Sequence, residues 1–245
     1  MTFLNSKDGH NFFIPTNKTF NPIGIEKDHV SQTLDFAYAM TFGKEGEHRK
    51  YRSGGSHTRK NGEVFCDTFQ GKLAEYFVYQ RLTDMGINCP EPDIEKWDLG
   101  KWDDEDFSIN HKLINVKSMA FFSNLLLLET KDWDYEGLYI PNNKSYDYFV
   151  IVRIKPEIKK VFRAQRMLYS NDISMNEIKS VFENQTFYAD IPGYVTNASL
   201  KEKIQEKQIL PKGAMLNGRI KMDAENYYIL SKDFEEFNKI KEHLL

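Results

Sequence analysis

The chain has 245 residues, of which 40% are hydrophobic and 28% charged, and its formal net charge at pH 7 is −3. These values predict one large or two modest folded domains, and they exclude a protein whose overall charge alone would attract nucleic acid. Because the two cysteines, Cys66 and Cys89, lack metal-ligand or disulfide spacing and no apolar run approaches the ~20 residues of a membrane span, we expect a cytoplasmic protein without a membrane partner.

Two helices are predicted in the first half of the chain. The first covers residues 31–42, with Ser31 as its N-cap. The second covers residues 67–85, where Asp67 is available as N-cap and Gly86 as terminator.

Two charged segments flank the second predicted helix. Residues 44–60 are basic and contain glycines, whereas residues 91–106 are strongly acidic. An enzyme that handles phosphates through metal ions could use such a pair, and two solvated loops of opposite sign would give the same pattern.

The second half of the chain alternates between strand and helix signals. Apolar runs at 124–129 and 147–154 predict strands, the second of them buried on both faces. Four further elements are predicted in chain order: helices near 174–183 and 199–207, a strand at 226–230 and a terminal helix at 232–243.

Between these halves, residues 106–118 predict a β-hairpin, because apolar and polar residues alternate on both sides of Asn110-His111. Asparagine suits the positive φ of a two-residue turn, and histidine tolerates it better than most residues. This turn fixes the strand register. The opposed pairs are Ile109–Lys112, Ser108–Leu113, Phe107–Ile114 and Asp106–Asn115.

The hairpin register brings an acid, an amide and a lysine onto one face. Lys117 lies two positions after Asn115, so it shares the face on which Asp106 opposes Asn115. A fourth polar residue, Glu75, lies in the most apolar part of the predicted 67–85 helix. Burial of that carboxylate requires a partner, either a metal ion or a lysine such as Lys72.

The stretch "GKLAE" at 71–75, followed by an aspartate that opens a strand and a hairpin that ends in N-V-K-S, resembles the PD-(D/E)XK nuclease superfamily. That superfamily includes most type II restriction endonucleases, Holliday-junction resolvases and many phage nucleases. The resemblance covers residues 71–118 and, with the later strands, 71–155. It implies an α/β (α+β) fold in which helices flank a mixed central β-sheet, with a restriction-endonuclease-like core.

The resemblance also implies roles for individual residues. Asp106 corresponds to the motif's aspartate, Lys117 to its lysine, and Glu75 to the acid that many members carry on the first helix. Asn115 departs from the pattern, because an aspartate or glutamate is expected there. An amide oxygen can coordinate a hard cation without adding charge, so the implied ligands of Mg²⁺ (or Mn²⁺) are Asp106, Glu75 and Asn115, and a second metal ion is disfavoured.

Other acids compete for the role of the motif aspartate. Asp98 in "EKWDLG" lies within the spacing that the family allows, and Asp103 and Asp104 are weaker alternatives. Asp106 is preferred because the hairpin register sets it opposite Asn115.

Candidate DNA contacts lie on both sides of this core. Arginine and lysine bind phosphates, and glycine lets backbone amides approach them. In the basic arm the candidates are Arg49, Lys50, Arg52, Arg59 and Lys60. In residues 210–228, a candidate target-recognition element, they are Lys212, Arg219 and Lys221.

The sequence therefore predicts three parts: an N-terminal helix and basic arm (1–62), a nuclease core (63–160) and a C-terminal recognition part (161–245). The predicted function is Mg²⁺-dependent hydrolysis of phosphodiester bonds in double-stranded DNA by a homodimer, as in a type II restriction endonuclease. One alternative is a non-catalytic DNA-binding protein in which Asn115 marks a decayed site. Another is a nuclease that acts on branched DNA or RNA.

Overall fold

The structure is a computed structural model that describes residues 3–43, 58–95 and 106–245. Within these ranges the α-helices are α1 (Lys27–Thr41), α2 (Asn61–Asp84), α3 (Ile158–Ala164), α4 (Met175–Phe182), α5 (Asn197–Gln205) and α6 (Ile240–Leu244). The strands are β1 (Asn5–Ser6), β2 (Asn11–Phe13), β3 (Ile23–Gly24), β4 (Phe107–Ile109), β5 (Lys112–Ala120), β6 (Leu125–Glu129), β7 (Tyr148–Lys155), β8 (Tyr188–Thr196), β9 (Ile209–Leu210), β10 (Met215–Leu216), β11 (Ile220–Lys221) and β12 (Asn226–Leu230).

Strand β7 is the middle of a five-stranded sheet with the order β3-β8-β7-β5-β4. Strands β5 and β7 run parallel, and the other neighbours pair antiparallel. Every residue of β7 except Lys155 is buried, which confirms the predicted strand with two covered faces. Two smaller sheets, β6-β12-β9 and β1-β2-β10-β11, complete the architecture. The mixed sheet with its helices confirms the predicted α/β (α+β) class.

Each of the three predicted parts contributes to the five-stranded sheet. β3 comes from residues 1–62, β4, β5 and β7 come from residues 63–160, and β8 comes from residues 161–245. The predicted boundaries therefore do not divide the chain into parts with separate sheets.

The two faces of the five-stranded sheet are covered by different elements. Helix α2 covers one face and forms the first core, which includes Phe69, Leu73, Phe77, Ile114, Val150 and Val152. The other face carries the second core, which includes Leu126, Leu128, Trp133, Phe149, Ile151 and Ile229. Consecutive residues of β7 alternate between these cores, as the period of two of a β-strand requires.

The predicted hairpin is confirmed in detail. Phe107 opposes Ile114, Ser108 opposes Leu113 and Ile109 opposes Lys112. The turn residues Asn110 and His111 have φ values of 47° and 63°, the left-handed pair that a two-residue turn of this type needs.

The beginnings of the two long helices differ from the prediction. Helix α1 begins at Lys27 with Glu26 as N-cap, so Ser31 is not its cap. Helix α2 begins at Asn61, which leaves Asp67 in the helix rather than at its start, whereas Gly86 follows its end with φ 76° as predicted. The early start of α2 depends on Gly62, since a Cβ there would lie 2.2 Å from the carbonyl oxygen of Met167.

Strand β8 was missed because its sequence, "YADIPGYVT", contains the turn-like pair Pro192-Gly193. The backbone of Tyr194 exchanges two hydrogen bonds with Glu235, at 2.9 and 3.0 Å.

The same contact between Tyr194 and Glu235 interrupts the predicted terminal helix. Residues 231–233 and 237–239 form short 3₁₀ turns on either side of Glu235, and only α6 is α-helical. The other helices and strands predicted after residue 120 are confirmed, with ends shifted by at most two residues.

Candidate functional site

Asn115 and Lys117 lie on the face of β5 that is turned away from helix α2. Their neighbours Ile114 and Val116 pack in the first core, while Leu113 and Met119 pack against the second core. Since side chains alternate along a strand, Asn115 and Lys117 share the face of the second core. The predicted common face of these two residues is therefore confirmed.

Asp106 joins this pair through a hydrogen bond to the backbone. The β4–β5 ladder ends at Phe107 and Ile114, and the Oδ2 atom of Asp106 accepts a hydrogen bond of 2.6 Å from the backbone N–H of Val116. The carboxylate thus replaces the next main-chain bond of the ladder. This bond holds the partly buried Asp106 beside the segment that carries Asn115 and Lys117.

The side-chain oxygen of Asn115 is the most informative atom of the site. Its Oδ1 atom is buried, and among the described residues it has no hydrogen-bond partner. A buried acceptor without a partner costs about 1–3 kcal/mol. A bound cation would satisfy it, because amide oxygens are good ligands for hard divalent metals.

Lys117 is a partly buried lysine for which the described residues supply no ion pair within 4 Å. Burial lowers the pKa of Lys117 below its ordinary value, and the negative charges of Asp106 and Asp132 oppose that effect. The ammonium group is thus held near two acids without a direct salt bridge among the described residues. Such a group can still interact with a phosphate or orient a water molecule.

Asp132 is an acid near Lys117 that the sequence did not reveal. It ends the 3₁₀ turn Thr130–Asp132 after β6, and its backbone oxygen accepts a hydrogen bond of 2.9 Å from Ile140. The adjacent Trp133 is buried, with its ring 5.3 Å from that of Phe149 in the second core. The pairing of β6 with β12 and the packing of Trp133 hold this turn in place, and no local sequence signal marks Asp132.

Glu75 does not join this face, which corrects the predicted set. Its Oε2 atom lies 2.5 Å from the Nζ atom of Lys72, the partner that the sequence offered as the alternative to a metal. Lys72 in turn lies over the ring of Phe36 in α1, 5.2 Å from its centroid. Helix α2 contacts β5 from the first-core side, where Gln70 donates a hydrogen bond of 3.4 Å to Ser118. Glu75 therefore lies on the helix that covers one face of the sheet, whereas Lys117 projects from the other face, so the two side chains do not surround one ion.

The candidate DNA-contacting residues differ in their exposure to solvent. Arg59 is mostly buried and binds Asp67 at 2.9 Å, so it is not an exposed phosphate ligand. Lys60, Arg219 and Lys221 are exposed, the first at the N-cap of α2 and the others at β11. The remaining basic-arm candidates and the alternative acids lie outside the described residues: Arg49, Lys50, Arg52, Asp98, Asp103 and Asp104.

The oxygen donors of the site fit a hard divalent cation. The donors on the strand face are the carboxylate of Asp106 and the buried amide oxygen of Asn115, and Asp132 lies within electrostatic reach of Lys117; Mg²⁺ takes oxygen donors of these types. No group of three or more His, Cys, Asp or Glu side chains suited to a metal occurs in the described part of the chain. An ion here would therefore depend on the Asn115 oxygen and on water as well as on the two carboxylates.

Comparison with known proteins returned no match: no family model, no curated protein and no solved structure matches this chain. None of the helices in the described ranges combines the length and the apolar character needed to cross a membrane.

Proposed function

We propose that this protein is a metal-dependent endonuclease that hydrolyses phosphodiester bonds of double-stranded DNA. The observation that carries the proposal is the buried Oδ1 atom of Asn115, which finds no hydrogen-bond partner within residues 3–43, 58–95 and 106–245. It lies on the same strand face as Lys117 and beside the anchored carboxylate of Asp106. An unsatisfied acceptor at that position is costly in a structural hairpin and useful in a cation site.

In this proposal Asp106, Asp132 and Asn115 hold Mg²⁺, or Mn²⁺ as a substitute. A bound ion of this kind acts as a Lewis acid on a phosphate oxygen and lowers the pKa of a bound water molecule. The two carboxylates contribute two negative charges, which is within the range that Mg²⁺ uses in phosphoryl-transfer sites. Asp132 takes the place of the predicted ligand Glu75.

Lys117 acts on the scissile phosphate itself. Its ammonium group donates hydrogen bonds to a phosphate oxygen or to the attacking water, and its charge offsets the negative charge that develops in the transition state. Partial burial strengthens this effect, because electrostatic interactions are stronger where water is excluded. The proximity of Asp106 and Asp132 favours the charged form that this role requires.

More specifically, we propose a type II restriction endonuclease that works as a homodimer in the cytoplasm. Cutting both strands of a short duplex site requires two active sites, which a symmetric dimer supplies. The exposed Arg219 and Lys221 at β11 supply positive charge for the phosphate backbone.

Two observations favour a second candidate, a DNA-binding protein without catalytic activity. Asn115 brings no charge to a position where the resembled family has an acid, and the helix acid Glu75 is paired with Lys72. Both features would be expected if the site had lost its metal. Action on branched DNA or RNA would be a change of substrate at the same residues.

A cleavage assay separates these candidates. Purified protein is incubated with plasmid and with unmethylated bacteriophage DNA, in the presence of Mg²⁺ or EDTA. Discrete fragments that require Mg²⁺ would support a restriction endonuclease, and cleavage only of branched DNA or RNA would reassign the substrate. Binding of DNA without cleavage of any of these substrates would contradict the enzyme and support the non-catalytic candidate.

Replacement of Asn115 with aspartate tests its role as a cation ligand. The added carboxylate would raise the affinity for metal, since ligand charge tunes the affinity of oxygen sites, and we expect roughly tenfold tighter Mn²⁺ binding. Isothermal titration with Mn²⁺ measures this directly, and Asn115→Ala is the matched control that removes the oxygen and should weaken binding. Equal Mn²⁺ affinity in all three proteins would exclude Asn115 from the ligand set.

A further inference from the structure

A row of phenylalanine side chains with an exposed end follows strand β5 at its carboxyl end. The ring of Phe121 lies 5.7 Å from that of Phe20 and 5.4 Å from that of Phe122, in edge-to-face contacts. Phe122 ends this row with 52% of its surface exposed. Phe20 and Phe121, the other two members of the row, are partly buried.

Two lysines lie against these rings. The Nζ atom of Lys155 is 5.4 Å from the centroid of Phe121, and that of Lys160 is 5.6 Å from the centroid of Phe122. Both lysines are exposed. Lys160 also pairs with Glu157 at 2.5 Å, whereas no such ion pair of Lys155 is found among the described residues. The surface therefore combines aromatic faces with positive charge.

This platform, which comprises Phe121, Phe122, Lys155 and Lys160, lies at the end of the strand that carries Asn115 and Lys117. Lys117 and Phe121 are four residues apart along the direction of β5, a distance of about 13 Å at the rise of a β-strand. Strands β5 and β7 are parallel, with Ala120 opposite Ile154, so Phe121 and Lys155 emerge at the same end of the sheet. About 13 Å corresponds to roughly four stacked nucleotides of one DNA strand.

We propose that this platform binds a single-stranded segment of nucleic acid, with one unpaired base stacked on Phe122 and its phosphates against Lys155 and Lys160. The inference rests on the proposed function and extends it: the platform would accept a strand of the DNA substrate that is unpaired near the cleaved bond. Base pairs in an intact duplex stack on each other, so their faces are closed to an aromatic side chain, whereas an unpaired base offers its face. The lysines favour a polyanion over an apolar peptide as the occupant.

Binding without cleavage tests the platform. A fluorescein-labelled single-stranded DNA of about 12 nucleotides is titrated in EDTA, and fluorescence anisotropy gives the Kd. We expect Phe122→Ala to weaken binding about tenfold, because removing one base–aromatic stack has an effect of that order. Phe3→Ala is the matched control, since Phe3 is also 52% exposed, and its Kd should equal that of the wild type.

A second oligonucleotide with abasic sites keeps the phosphates and removes the stacking partners. The wild type should bind it about as weakly as Phe122→Ala binds the normal strand, and Phe122→Ala should not distinguish the two strands. Equal binding of the normal strand by the wild type and Phe122→Ala, or no single-strand binding by the wild type, would overturn the inference.

The two proposals can fail separately. Mg²⁺-dependent cleavage by the wild type together with no effect of Phe122→Ala on single-strand binding would remove the platform and leave the nuclease. Phe122-dependent binding without cleavage of any substrate would remove the nuclease and leave the platform.

Discussion

Replacing Lys117 with alanine is expected to slow DNA cleavage by about 10²–10³-fold, the loss that follows removal of one preorganised group that stabilises transition-state charge. The effect should fall on the rate constant of cleavage under single-turnover conditions, with little change in DNA affinity. The reason is that the partly buried ammonium acts at the reacting phosphate and not along the DNA backbone. Circular dichroism of Lys117→Ala checks that the variant is folded before the cleavage rates are compared.

Glu75→Gln is the matched control for that experiment. Glu75 pairs with Lys72 on the far side of the sheet, so we expect its replacement to change the cleavage rate by less than about threefold. A Lys117→Ala variant that cleaves at the wild-type rate would contradict the proposed role of Lys117. A Glu75→Gln variant as slow as Lys117→Ala would restore the helix acid to the catalytic set and contradict the replacement of Glu75 by Asp132.

The second large effect concerns stability and arises from the buried pair of Arg153 and Asp190. The Nη2 and Oδ2 atoms of this pair are 2.5 Å apart, and Nε donates a second bond of 2.8 Å to Oδ1. Arg153 is 1% exposed and also donates to the backbone oxygens of Lys18 and Thr19. Removal of one partner leaves the other charge buried without compensation.

Asp190→Ala is therefore expected to lower the free energy of unfolding by about 3–5 kcal/mol. Urea denaturation followed by circular dichroism measures this loss. Glu136→Ala, which breaks the exposed pair of Glu136 and Lys201, is the control and should leave the urea midpoint essentially unchanged. Equal midpoints for Asp190→Ala and the wild type would mean that the buried pair does not support the fold.

The predictions that succeeded depend on local sequence. The β4–β5 hairpin follows from its alternation and from the tolerance of Asn110 and His111 for positive φ, so both its register and the common face of Asn115 and Lys117 could be predicted. The same holds for β7, whose continuous apolar run predicts a strand buried on both faces.

The predictions that failed depend on contacts between distant segments. At the start of α2, Gly62 packs closely against the backbone of Met167, more than one hundred residues away, and no local sequence signal marks that contact. A sequence cannot show which face of the sheet a helix will cover, and the predicted role of Glu75 depended on that choice. Asp132 could not be found for the same reason, because its position follows from the packing of Trp133.

The order of strands in the main sheet also has a consequence during synthesis. While the ribosome has not yet delivered β8, one edge of the largely apolar β7 lacks its partner, and an unpaired apolar edge invites association with other chains. A nascent chain that ends before residue 188 therefore lacks a strand of the sheet that carries Asn115 and Lys117. The candidate site matures only after most of the polypeptide has left the ribosome, and until then β7 is a segment that chaperones would have to shield.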